Sequence, residues 1–214
     1  MHLPDSCGVP DYLCGQKNLV MEIKQLEPKE KVVTFFGEIK GATVESAVKE
    51  IVKINLADQA YAQQCAQWAA DNKLPPMPVT LSPIEFYLST YGGGCYDGLA
   101  LHDVIEASST PVEVVCTGKI MSMGIIVALG AKVRKGYRNT TFMIHQVSGL
   151  SIGTLRDMED SIAEAGRINE MIFSVIKSKT TISEDQLKDV LEKKRDWFIT
   201  ADEALALGIL TEIL

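Results

Sequence analysis

Two side chains stand where nucleophilic chemistry could be done: Ser122, between two methionines, and His145, 23 residues later. A serine attacks a carbonyl carbon efficiently only when a base takes its proton, and imidazole is the usual base. The chain has three histidines. His2 sits in the N-terminal tail and His102 lies inside a helical pattern, where it reads as a surface or packing residue. His145 is the base that remains. No Asp or Glu lies between Ser122 and His145, which excludes the Ser–acid–His order of one large hydrolase class. An orienting carboxylate must lie upstream of the pair or follow the histidine. Asp196 is the candidate, just past a helical segment and beside Trp197 and Phe198, which could keep it partly dry.

The elements around these residues can be read from pattern. Val112-Glu-Val-Val-Cys116 is short, apolar and β-branched, as a buried strand should be, and Thr117-Gly118-Lys119 break it. Ser122 then opens an apolar helix that closes at Gly130. A serine at a strand-to-helix mouth exposes its hydroxyl, and the first helix amides there are unpaired and positively polarised. Those amides can receive a developing oxyanion. Taken alone, such a serine reads as a helix cap; the histidine, the chain order and the aspartate favour the nucleophile. Thr141-Phe-Met-Ile-His145 reads as a strand that carries the histidine at its end.

Around this centre the chain alternates strands and helices, which predicts an α/β fold with right-handed crossovers. Residues 1–30, punctuated by Pro4, Gly8, Pro10 and Gly15, read as an irregular arm with a short strand over 19–23. Lys31–Phe36 is a strand, and Thr43 caps a helix with Val44, Ala47, Val48 and Ile51 at helical spacing. Helical pattern continues from Leu56 to Ala70 and stops at Asn72 and Pro75-Pro-Met-Pro78. Ile84–Leu88 is a strand, followed by Gly92-Gly93-Gly94 and a helix over 95–107 that buries Leu99, Val104 and Ile105. The glycines are not followed by Gly-Lys-Ser/Thr, so a phosphate-binding loop is not indicated. A loop over 147–153 leads into a long, partly solvated helix over 155–179. Ser183-x-x-Gln186 and Thr200-x-x-Glu203 are capping boxes opening two further helices.

Four ordered motifs resemble the proteolytic subunit of the Clp protease: Gly92-Gly93, Ser122-Met123-Gly124, Met143-Ile-His-Gln146 and Arg195-Asp-x-Phe198. The resemblance runs from about Val32 to the C-terminus. It implies a ClpP/crotonase-like fold of repeated β-β-α units with a protruding strand-helix handle. The N-terminal arm would then be residues 1–30, and the protease domain 31–214 with a surface insertion over about 57–82. It further implies a serine endopeptidase with Ser122 as nucleophile, His145 as base, Asp196 as orienting acid, and the backbone amides of Gly93 and Met123 as oxyanion donors. No cofactor or metal is implied. The implied partners are a homo-oligomeric ring, heptamer or tetradecamer, polypeptide substrates and an AAA+ unfoldase, although the family's aromatic-basic gate pattern is missing from the arm. Tyr91 replaces the family's proline before the glycines. Lys193-Lys194 stand where an acidic residue is common, which predicts rings that stack less firmly at low salt.

Composition agrees with this frame. A chain of 214 residues, 46% hydrophobic and 23% charged, is long enough for one full core. The formal charge of −7 argues against broad binding to nucleic acid or anionic membranes. No apolar run approaches the roughly 18 residues of a membrane span, and the N-terminus lacks the order of a signal peptide. Five scattered cysteines form no zinc pattern and suit reduced thiols in the cytoplasm. Three other readings share some of these features: a crotonase-type acyl-CoA enzyme, a Ser-Lys protease of viral or signal-peptide-peptidase type using Lys119 or Lys132, and a catalytically silent ring subunit.

Overall fold

The computed structural model describes residues 31–75, 79–148, 152–193 and 196–214. The arm over 1–30 with its expected strand, the middle of the proline-rich loop, the loop tip 149–151 and the Lys194-Arg195 pair lie outside the described residues.

Among the described residues seven strands form one sheet. β1 (Val32–Phe36), β2 (Ile84–Thr90), β3 (Val112–Met121), β4 (Val133–Gly136) and β7 (Glu212–Ile213) lie side by side in the order β1-β2-β3-β4-β7. All these neighbours are parallel. β5 (Thr141–Ile144) runs parallel to the second half of β3, and β6 (Trp197–Ile199) runs antiparallel to β5. The helices are α1 (Gly41–Asp71), α2 (Cys95–Glu106), α3 (Met123–Leu129), α4 (Leu155–Lys179), α5 (Glu184–Lys193) and α6 (Ala201–Ala206). This is the α/β architecture that the alternation of elements predicts.

The sheet forks at β3. Its first half pairs with β4 over Glu113–Cys116 and its second half with β5 over Lys119–Met121. Thr117-Gly118-Lys119 therefore do not end the strand. Gly118, with φ of 64°, lets it change direction and take a new neighbour, while its register with β2 shifts between Leu88 and Thr90. In parallel α/β sheets, ligands gather outside the carboxyl ends of strands where neighbours diverge. Ser122 stands at that end of β3.

α3 is buried on every side, as a helix without a polar face must be. It packs against α2, whose buried residues are Gly98, Leu101, His102 and Ile105; Leu99 and Val104, expected inside, are half-buried against the same core. His102 is a packing histidine: its Nδ1 lies 2.7 Å from the Ile126 carbonyl oxygen of α3, the distance of a donated N–H bond. Gly130 ends α3 with φ of −63°, so close contact with the His102 carbonyl, not a left-handed turn, accounts for the glycine.

Thr43 is not the cap of α1. The helix begins at Gly41, and the Thr43 hydroxyl accepts the Lys40 N–H at 3.2 Å and donates to the Glu38 carbonyl at 2.7 Å. α1 then runs unbroken for 31 residues. The segment expected as a surface insertion is packed through Asp58, Tyr61, Cys65 and Ala69, a buried stripe at helical spacing. Asp58 Oδ2 accepts the Thr110 hydroxyl at 2.6 Å, and Lys31 Nζ lies 2.9 Å from Oδ1, an ion pair outside hydrogen-bonding geometry. Lys31 Nζ also donates to the Ser82 carbonyl at 3.1 Å. One polar knot thus ties α1 to the sheet's amino end.

Both predicted capping boxes are formed. Ser183 exchanges bonds with Gln186 at 2.9 and 3.2 Å, and Thr200 with Glu203 at 2.8 and 3.3 Å. Lys193, one of the charges expected beside Asp196, is ion-paired with Asp189 on α5.

Candidate active site

Ser122 occupies a sharp turn between β3 and α3. Its φ of 54° and ψ of −126° lie where side-chain-bearing residues rarely go, at a cost of about 1–3 kcal/mol. The turn is held by the Ser122 N–H, which donates to the Met143 carbonyl of β5 at 2.8 Å. Ser122 is the N-cap residue of α3, yet its side chain makes no capping bond. Its Oγ lies 2.7 Å from Nε2 of His145. With the imidazole proton on Nδ1, the hydroxyl donates to Nε2, the arrangement from which a serine can lose its proton as it attacks.

His145 follows directly on β5, whose pairing of Met143 with Met121 delivers the histidine beside the serine. The glycine turn after β2 closes the other side. Gly92, with φ of 105°, passes so close to the serine that a Cβ on it would lie 2.7 Å from Ser122 Cβ. Gly93, with φ of 149°, presses against Ile39 so tightly that no side chain fits. Ile39 donates to the Gly92 carbonyl and accepts from Gly94 N–H, each at 2.8 Å. This bridge engages the residues on either side of Gly93, so the Gly93 N–H points away from Ile39, toward the flank where β3 lies. Met123 is the first residue of α3, and its N–H has no acceptor within the helix.

Gly93, Met123, Ser122 and His145 share a cavity of about 70 Å³ whose remaining wall is mostly apolar. Cys95, Val147, Ile172 and Ile176 belong to that wall, and sequence reasoning did not assign them to the site. The isoleucine spacing on α4 was visible as a helical stripe, but spacing carries no information on what the stripe faces. Burial pushes the Cys95 thiol pKa up, and that of Cys116 up to about 12, so neither competes as a thiolate nucleophile near neutral pH.

Asp196 is placed differently from expectation. It precedes β6, and extending the antiparallel register past Ile144 opposite Trp197 sets Asp196 opposite His145. The carboxylate is nevertheless exposed, with Phe198 exposed and Trp197 only half-buried, so the aromatics do not keep it dry. It makes no hydrogen bond with His145 among the described residues. It lines a separate, open cleft of about 670 Å³ with Asp185, Asp189, Trp197 and Phe198. The structure brings Ser122, His145, Gly93 and Met123 together and leaves Asp196 in register but apart.

The lysines of the Ser-Lys alternative are elsewhere. Lys119 Nζ sits over the Tyr91 ring, 4.3 Å from its centre, and Lys132 is exposed beyond α3.

A strained serine at the end of a parallel strand and a histidine in contact with it define the class: a serine hydrolase on an α/β scaffold. The model of the Clp protease family matches residues 53–214. The chain is 29% identical over 135 residues to the ATP-dependent Clp protease proteolytic subunit of Deinococcus radiodurans, taking in 61% of this chain and 64% of that protein. It is 25% identical over 202 residues to the corresponding subunit of Borreliella afzelii, 94% of this chain and 91% of that one. Among solved structures, a mutant of ClpP1 from Listeria monocytogenes matches with a TM-score of 0.68 and 26% identity, over 92% of this chain and 95% of that chain. The chain belongs to the Clp protease family, and these homologues mark it as a serine peptidase.

Proposed function

We propose that the chain cleaves peptide bonds by an acyl-enzyme route in which Ser122 is the nucleophile and His145 the general base. The serine proton passes to Nε2 as Oγ attacks the scissile carbonyl carbon. The carbonyl oxygen, now carrying the negative charge, is received by the N–H groups of Gly93 and Met123; a donor of this kind is worth about 3 kcal/mol of barrier. The imidazolium returns its proton to the leaving amine, the acyl-serine remains, and a water activated by the same nitrogen releases the acid. Asp196 is assigned to His145, where a carboxylate near Nδ1 would fix the tautomer and stabilise the imidazolium. The antiparallel register of β5 and β6 supports that assignment.

The observation that carries the reading is the 2.7 Å contact between Ser122 Oγ and His145 Nε2 at a strained turn. Replacing Ser122 by alanine should abolish both cleavage of a short fluorogenic peptide and labelling by a fluorophosphonate, with the native mass unchanged. Cleavage at the wild-type rate by that variant would remove Ser122 from the mechanism.

We take 31–214 as the protease domain, and peptides and unfolded polypeptides as its substrates. A homo-oligomeric ring of seven, single or stacked, is the proposed assembly, in the cytoplasm, with an AAA+ unfoldase as partner. Support comes from large apolar side chains exposed at helical spacing on α4, Leu155, Met158 and Ile162, and from exposed Phe36 on β1, since patches of this kind mark protein contacts. No described helix is long and apolar enough to cross a membrane. A monomeric native mass would overturn the ring.

A further inference from the structure

His145 stands where the sheet ends. The last paired positions of β5 are Met143 opposite Met121 of β3 and Ile144 opposite Trp197 of β6. Three residues beyond the ladder, the Val147 N–H donates to the side-chain oxygen of Asn169 on α4, at 3.1 Å. Val147 is half-buried in the wall of the catalytic cavity, where an unmet N–H is costly.

The face of α4 that presents Asn169 also builds the cavity, for Ile172 and Ile176 follow it at three and seven residues and line the same space. The helix is tied from outside as well. The Arg167 guanidinium forks onto Glu164 at 2.8 and 2.6 Å, and Tyr96 on α2 hydrogen-bonds to Glu164. Tyr96 lies three residues past Gly93. One helix is thereby fixed to the turn carrying an oxyanion amide and to the chain carrying the base.

We propose that Asn169 is a positioning residue for His145: its side-chain carbonyl holds the chain past β5 so that Nε2 stays in line with the serine hydroxyl. The proposal rests on His145 being the base. Proton transfer demands close placement, and a shift of about 1 Å in a catalytic group can cost on the order of 10²-fold in rate.

Asn169→Leu keeps the volume and removes the acceptor; Asn169→Ala removes both; Asn169→Asp keeps an oxygen at the same place. Each is assayed as the full chain, at the plateau of its own pH profile, for kcat and KM on a fluorogenic peptide and for the rate of fluorophosphonate labelling. Ser122→Ala and His145→Ala serve as controls. The leucine and alanine variants should lose at least about tenfold in kcat and labelling with KM within about threefold, and the aspartate variant should recover to within about threefold of wild type. A kcat within about twofold of wild type in Asn169→Leu, with His145→Ala inactive, overturns the proposal and leaves the base assignment standing. Equal loss in the aspartate variant, or loss that comes only with a lost native mass or lowered melting temperature in both the leucine and alanine variants, also overturns it. Activity persisting in His145→Ala overturns the base assignment itself.

Discussion

Asp58 and Asp196 are two carboxylates near opposite ends of the sheet, and each turned out the reverse of its sequence context. Asp58 falls in a segment that reads as a surface insertion, yet it is 1% exposed and held by Lys31 and Thr110. Asp196 sits between a helix and two aromatics that could keep it partly dry, yet it is open to solvent. The difference is in what surrounds them. Asp58 sits on a long helix against Lys31, just before β1, and Thr110, two residues before β3, and β2 joins those strands in one sheet. Asp196 rides on the free end of a three-residue strand with one antiparallel neighbour. A carboxylate is closed in by partners remote in sequence, and adjacent residues say little about whether those partners arrive.

The largest effect should follow from opening the closed site. Asp58→Ala takes the carboxylate from the buried Lys31 ammonium and the acceptor from the Thr110 hydroxyl, which should cost about 3–5 kcal/mol of stability. Chemical denaturation checks this, and a loss below about 1 kcal/mol would mean that water already reaches the pair. Residual activity per folded molecule should stay near wild type, because the knot lies away from Ser122.

Asp196→Asn should do the opposite: little change in melting, and a fall in kcat of about 10²-fold or more, since a closed triad loses about 10⁴-fold on this substitution. A loss near 10⁴-fold would show the carboxylate meeting His145 in the working enzyme. A loss under about threefold would remove Asp196 from the mechanism.

Glu164 gives the smallest effect and tests an intermediate case, exposed but partnered. The hydrogen bonds from Arg167 and then from Tyr96 lower its pKa from 4.5 to about 2. A depressed folded-state pKa gives stability that is present above 4.5 and lost as pH falls toward about 2. The side chain is about 40% exposed, so solvent screens the gain. The melting temperature of wild type should fall slightly more than that of Glu164→Gln across this window, and the gap should shrink in high salt. Parallel curves would mean that the cluster adds nothing.

Much of the site was legible because it is local. The apolar run before Ser122, the polar break, the apolar helix after it and the histidine ending a β-branched strand are neighbours in sequence, and hydrogen-bond geometry leaves such patterns few ways to fold. The caps at Ser183 and Thr200 were legible for the same reason, since their partners lie three residues away. Gly118 reads as the end of a strand but bends one, because a left-handed glycine can do either and only the neighbours β4 and β5 decide which. Val147 and Asn169 carry no joint signal, being 22 residues apart on different elements.

By itself, then, the sequence determined the order of strands and helices, the serine at a helix mouth and the histidine at a strand end, because each follows from interactions within a few residues. Tertiary structure alone decided the fork of β3, the 2.7 Å approach of serine and histidine, the burial of Asp58 and the exposure of Asp196. Those depend on which strands pair and where the ladders stop, and the free energy that sets them is shared among residues far apart in the chain.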